Sequence, residues 1–124
     1  MEKEYISWKQ YDKDIRILAN KIKEVDFKFN FIGTLSRGGL PIATHLSHLL
    51  NDEPIEVDTF ALAPEPILIV DDVSDTGKAL SEILIHRKDR PKRIATLYRK
   101  DGTTVEPDYY ARTINKWIVF PWEK

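Results

Sequence analysis

The sequence predicts an α/β domain in which a mostly parallel, twisted sheet is flanked by helices, with residues 1–124 forming one unit. Three observations carry this. The run Ile67-Leu68-Ile69-Val70 is apolar throughout with no alternation, as in a parallel strand covered on both faces. Apolar stripes at helical spacing alternate along the chain with short strand-like runs, the order that builds a parallel sheet with helical crossovers. Finally, 124 residues with 42% hydrophobic and 31% charged content suit a single domain with a real core.

The elements follow in order. Ser7-Trp8-Lys9-Gln10 reads as a capping box, the Ser7 hydroxyl taking a free amide and Gln10 reaching back. Tyr11, Ile15, Leu18 and Ile22 then predict a helix over 8–23. Phe27, Phe29 and Phe31 alternate with polar residues and, with Ile32, predict a strand that Arg37-Gly38-Gly39 ends. Ile42, Ala43, Leu46, Leu49 and Leu50 give a second helix, and Ile55, Val57 and Thr59 a short strand. After Ile67–Val70, Thr76-Gly77 opens a helix carrying Ala79, Leu80, Ile83 and Leu84. Ile94, Ala95, Leu97 and Tyr98 form another strand. Tyr109-Tyr110 and Trp117 to Phe120 give the last strand pieces, stopped by Pro121. Sheets of this kind bind ligands beyond the carboxyl ends of their strands. That places Ser36-Arg37-Gly38-Gly39 and Asp71 to Ala79 at one rim.

Composition excludes several classes. Without cysteine there is no disulfide scaffold, thiol nucleophile or cysteine zinc site. His45, His48 and His86 sit in no metal-ligand motif. A net charge of −1 with no basic run gives nucleic acid no electrostatic footing. No apolar stretch approaches the roughly 18 residues of a membrane span. The start, Met1-Glu2-Lys3-Glu4, leads into no apolar signal region, so a cytoplasmic location is expected.

The segment from Ile67 to Ala79 is the most informative. Asp71 and Asp72 follow the buried strand, and adjacent carboxylates there need an offsetting cation or hydroxyl donors. A sugar diol with a magnesium ion supplies both. Ser74, Asp75, Thr76, Gly77 and Lys78 are mostly small or hydroxylic and run into a helix, whose free amides make an anion cradle. Acid for a sugar beside amides for a phosphate describes a ribose-phosphate site. A Walker loop fails because Asp72 and Ala79 stand where glycine and Ser or Thr are required, and no Gly-x-Gly-x-x-Gly fingerprint occurs. A response-regulator receiver fails because too little chain follows Asp72 for the rest of its sheet. Earlier, Gly33-Thr34-Leu35-Ser36-Arg37-Gly38-Gly39-Leu40-Pro41 offers a second anion turn, with close-approaching amides and the fixed fork of Arg37.

Together these segments resemble the type I phosphoribosyltransferases. Glu4-Tyr5-Ile6-Ser7-Trp8, Tyr98-Arg99-Lys100 and Trp117-Ile118-Val119-Phe120-Pro121-Trp122-Glu123 are most similar to the xanthine-guanine branch. The resemblance implies transfer of the 5-phosphoribosyl group from phosphoribosyl pyrophosphate (PRPP) to a purine base. It gives Asp71 and Asp72 to the ribose hydroxyls and Mg2+, with Asp72 nearer the metal. Ser74 to Ala79 hold the 5′-phosphate, Ala79 standing where threonine is common. Ser36 to Gly39 grip the pyrophosphate around a cis peptide expected at Leu35-Ser36, and Arg37 stabilises the leaving group. Asp75 meets the purine imidazole nitrogen, Lys100 the oxygen at C6, and Trp117 and Ile118 the base. A homo-oligomer, dimer or tetramer, is implied, with Trp122 or Phe60 as contact candidates.

The sequence departs from that pattern in two places. Asp58 to Pro66 is a shortened lid loop without tyrosine, serine or a basic residue, and the chain ends soon after Trp122, giving a short C-terminal hood. Two other readings therefore stand beside the enzyme: a non-catalytic PRPP- or nucleotide-binding regulatory module on the same fold, and a pyrimidine or orotate-type transferase.

Overall fold

A computed structural model describes residues 2–87 and 90–123. The elements are β1 (Lys3–Tyr5), α1 (Trp8–Glu24), β2 (Phe31–Thr34), α2 (Gly39–Leu49), β3 (Ile55–Val57), β4 (Ile67–Ser74), α3 (Lys78–His86), β5 (Lys92–Arg99), β6 (Tyr109–Thr113) and β7 (Trp117–Val119). Five strands form one sheet in the order β3-β2-β4-β5-β6, every neighbouring pair parallel. This is the expected α/β architecture. None of the described helices is long and apolar enough to cross a membrane.

The central strand owes its place to its composition. Ile67, Leu68, Ile69 and Val70 are fully buried, facing alternately into two cores. On one face Leu68 and Val70 meet Ile15, Leu18 and Ile22 of α1 with Ile42 and Leu46 of α2. On the other, Ile67 and Ile69 meet Phe60, Leu80 and Ile94.

Helix α1 begins where its cap predicts. Ser7 Oγ accepts the Gln10 amide at 3.0 Å. The box is only half built, because the Gln10 side chain donates instead to Asp14 Oδ1 at 2.9 Å. Asp14 is wholly buried and also accepts from Tyr98 Oη (2.6 Å) and from Arg112 Nη2 (3.0 Å). Such a group is tolerable in a core only when it is paired.

The phenylalanine alternation overstated its strand. β2 starts at Phe31, opposite Ile67, and the residues before it run outside the sheet. Phe27 is covered by Arg93, with the guanidinium carbon 4.9 Å from the ring centre, and Phe29 packs on the core edge. Their spacing therefore reflects covering rather than pleating.

Two further departures shape the site. β4 continues past Val70 to Ser74, still pairing with β5 through Val73↔Tyr98 and Ser74↔Arg99. β2 ends opposite Val70, so from Asp71 onward that edge of β4 is open. β1 is a strand that its charged sequence did not announce. It pairs in parallel with β7, Glu4 beside Ile118, and fixes the C-terminal segment over the rim.

Candidate active site

The open edge of β4 sets the geometry. Asp71 and Asp72 are half-buried at the point where β2 gives way to the turn at 36–39. The Asp72 carboxylate lies against Gly38: a Cβ on that glycine would stand 2.6 Å from Asp72 Oδ2. The two turns predicted to share a rim therefore touch. Asp72 N–H donates to Asp71 Oδ1 at 2.9 Å, and Val73 N–H to Asp72 Oδ1 at 2.8 Å. Burial, and then the Asp72 charge, pushes the Asp71 carboxyl up to about 7; burial raises Asp72 as well. Neither has a Lys or Arg partner among the described residues.

That pair fits one hard cation. No group of three or more metal-binding side chains occurs among the described residues. Mg2+ does not need one, because it keeps several waters and takes one or two carboxylates together with substrate phosphates. Two desolvated carboxylates without a protein cation match that habit.

Beyond β4 the chain makes the cradle. Asp71, Ser74, Asp75, Thr76, Gly77, Lys78 and Ala79 line a depression of about 90 Å³ at the start of α3. Gly77 has φ +81°, and a Cβ there would come within 2.5 Å of Thr104 Oγ1, so glycine is required twice over. No side chain caps α3. Thr76 Oγ1 accepts the Lys78 amide at 3.2 Å, and the first-turn residues Lys78, Ala79 and Leu80 line the depression. The Ser74 hydroxyl, expected in the cradle, turns inward instead. It is buried and bonds to Val105 O (2.7 Å) and Thr103 Oγ1 (2.8 Å), so Ser74 offers the cradle backbone only.

A second cleft, of about 240 Å³, adjoins it and brings together Asp72, Asp75, Lys100, Trp117 and Ile118. All four predicted base-binding residues thus line one cavity. Lys100 Nζ stands 3.5 Å from Asp75 Oδ2 and 5.8 Å from the centre of the Trp117 ring, which is 55% exposed. Val73, Phe120 and Glu123 complete the lining and were not anticipated. Glu123 reads in the sequence only as the end of the C-terminal run, with no role; the Phe120 amide donates to its Oε1 at 2.9 Å, and Trp122 beside it is locked in an aromatic stack, 4.9 Å from Phe120 and edge-on to Tyr11 at 5.0 Å. Trp122 is thereby a packing anchor within its own chain.

The anion turn opens on a third cleft, of about 650 Å³, lined by Arg37, Gly38, Leu40, Pro41, Trp122 and Glu123. The cis peptide is Ser36-Arg37, one bond later than expected. Gly39 N–H donates to Leu35 O (3.1 Å) and Leu40 N–H to Arg37 O (3.0 Å). The Arg37 and Gly38 amides and the Arg37 guanidinium have no protein partner among the described residues. Ser36 does not line this cleft. Its amide and hydroxyl both donate to Asp58, at 2.9 and 2.5 Å.

The shortened loop is tied down. Phe60 is 1% exposed, its ring against Gly33, and is unavailable as a subunit contact. The buried Arg87 guanidinium donates to the carbonyls of Phe60, Ala61, Ala63, Glu65 and Pro91. His45 is engaged by the Tyr11 hydroxyl and His48 by Asp52 at 3.6 Å.

A buried parallel strand leads into an acidic pair, with the depression at the start of α3 beside it and the arginine turn against it. Residues 59–123 match the family described as the phosphoribosyl transferase domain. The chain belongs to the phosphoribosyltransferase family and is a transferase of that family. Within it, the chain is 29% identical over 142 residues to the xanthine-guanine phosphoribosyltransferase of Gluconobacter oxydans, covering 95% of this chain and 83% of the relative. It superposes on the crystal structure of a purine phosphoribosyltransferase from Pyrococcus horikoshii with a TM-score of 0.86 at 39% identity, covering 100% and 95% of the two chains. A Helicobacter pylori xanthine-guanine-hypoxanthine phosphoribosyltransferase shares the fold, with a TM-score of 0.81 at 20% identity over 98% and 92%.

Proposed function

We propose that this phosphoribosyltransferase moves the 5-phosphoribosyl group of PRPP onto a 6-oxopurine (guanine, xanthine or hypoxanthine), giving the nucleoside monophosphate and pyrophosphate. The observation that carries it is the pairing of Lys100 with Asp75 at 3.5 Å in the cleft that Trp117 and Ile118 line, next to the phosphate cradle. A lysine there donates to an oxygen at C6 and finds no acceptor in the amino group of adenine. The Gluconobacter xanthine-guanine relative supports the same reading, and the Pyrococcus enzyme supports a purine.

The chemistry follows from the placement. A purine ring nitrogen bonds to the anomeric carbon as the carbon–oxygen bond to pyrophosphate breaks, and the imidazole proton leaves to Asp75. The amides of the 77–79 turn hold the 5′-phosphate. Asp71 and Asp72 accept from the ribose hydroxyls. Arg37 and the Arg37 and Gly38 amides meet the charge that builds on the departing pyrophosphate. Mg2+, which Asp72 and Asp71 would hold, supplies further neutralisation of that charge.

The fixed segment 58–66 supports a second reading, a PRPP or nucleotide binder without turnover, because a tied loop does not close over a substrate. Pyrophosphate release with PRPP, Mg2+ and each base in turn separates the two. Turnover with 6-oxopurines supports the transferase. Binding of a nucleoside monophosphate without turnover of any base supports the binder, and turnover of orotate alone rejects the purine assignment. A dimer or tetramer is part of this proposal, and sedimentation equilibrium tests it.

A further inference from the structure

We propose that Asp58 is a positioning residue for the pyrophosphate turn: its carboxylate holds both donors of Ser36, so that the Arg37 and Gly38 amides are presented to the leaving group. The inference rests on reading residues 36–39 as the pyrophosphate turn.

Three observations converge on Asp58. It accepts from the Ser36 amide and hydroxyl through separate oxygens, at 2.9 and 2.5 Å. Its own amide donates to Thr34 O at 2.9 Å, so its backbone is fixed to the end of β2 while its carboxylate holds the turn. Its backbone is left-handed, φ 61°, a conformation available to Asp, Asn and Gly and unfavourable for most other residues. That conformation carries the chain out of β3 and into the segment 58–66, which Phe60 and Arg87 hold rigid. Asp58 is thus the front end of a brace whose back end is buried.

The consequence is a division of labour within the turn. Ser36, with both donors occupied, is an anchor and not a ligand. Gly39 and Leu40 spend their amides within the turn. What remains for an anion is the pair of amides at Arg37 and Gly38 with the guanidinium of Arg37. A loop held before the ligand arrives pays less ordering cost on binding.

The test uses the full chain and inorganic pyrophosphate with Mg2+, measured by calorimetry, together with the KM for PRPP and for the purine. Asp58→Gly keeps the backbone free to adopt φ 61° and removes the clamp. It weakens pyrophosphate binding about 10- to 100-fold, the range for losing charge-assisted hydrogen bonds, and raises KM for PRPP while leaving KM for the purine unmoved. Asp58→Asn retains a carbonyl acceptor for the Ser36 amide, tolerates the same φ, and restores binding to within about threefold. Should Asp58→Gly fail to fold, Ser36→Ala removes only the hydroxyl bond and weakens binding by about threefold or more. Pyrophosphate binding by Asp58→Gly, or by Ser36→Ala in its place, equal to the wild type overturns this inference and leaves the turn's assignment standing. Wild-type protein that binds no pyrophosphate, or Arg37→Ala that binds it undiminished, overturns both.

Discussion

Lys100 and Asp75 face each other across the mouth of the base cleft, Nζ 3.5 Å from Oδ2, although 25 residues and two elements separate them in the chain. Parallel pairing makes the meeting possible. Ser74 and Arg99 are register partners at the carboxyl ends of β4 and β5, so the residues that follow each leave the sheet side by side. The Lys100 amide donates to Ser74 O at 2.9 Å and fixes where that lysine begins.

Removing the lysine separates base recognition from PRPP binding. Lys100→Ala is expected to lower kcat/KM for guanine or hypoxanthine about 10- to 100-fold, the usual loss for a charge-assisted hydrogen bond. Affinity for Mg2+-PRPP, measured by calorimetry, changes less, about threefold, because Lys100 reaches the cradle only through Asp75.

The contact between Gly38 and Asp72 makes the two turns interdependent. Asp72→Asn is expected to weaken Mg2+-PRPP binding about tenfold or more while the chain remains folded. Gly38→Ala inserts a Cβ 2.6 Å from Asp72 Oδ2 and produces a similar binding loss, with a stability cost of about 1–3 kcal/mol. Equal PRPP affinity in Gly38→Ala would show that the turns act separately.

The acidic pair sets a pH trend for the metal-free protein. The Asp71 carboxyl titrates near 7 in the folded state, above its usual 3.8. Between those values the folded chain holds a proton that the unfolded chain has released, so the contribution of this group to stability falls as pH rises through that window. Replacing Asp71 with Asn removes it. The melting temperature of Asp71→Asn relative to wild type should therefore climb from pH 5 to pH 8 without Mg2+. A constant difference would contradict the burial of the pair.

Asp14 supports the base cleft from beneath. It accepts from Tyr98 Oη, whose ring stacks 5.9 Å from Phe120, a lining residue of that cleft. Tyr98→Phe should cost about 1–3 kcal/mol in denaturant unfolding while kcat/KM stays within about threefold. A comparable loss in activity would place the network in catalysis.

Much of this was legible in the chain because period and composition encode local structure. The apolar run 67–70 and the stripe from Tyr11 to Ile22 emerged as read, and Ser7 caps the helix although Gln10 does not reach back. Asp72, Asp75, Lys100, Trp117 and Ile118 line one cleft, and Asp71 lines the depression beside it. What escaped reading depends on pairing between distant segments. Lys3 to Tyr5 form a strand only because β7 lies beside them. The end of β4 is set by how far β5 accompanies it. The Ser74 hydroxyl is claimed by Thr103 and Val105, some thirty residues on. Asp58 reads in the sequence only as the start of the shortened loop 58–66, and its hold on Ser36 requires the register of β2 with β3.

The most direct test is a crystal structure with guanosine monophosphate, pyrophosphate and Mg2+. The account predicts the nucleotide phosphate on the amides of residues 77–79, the guanine oxygen on Lys100 beside Trp117, and pyrophosphate on Arg37 and Gly38. Ligand bound elsewhere, with both turns empty, would contradict it.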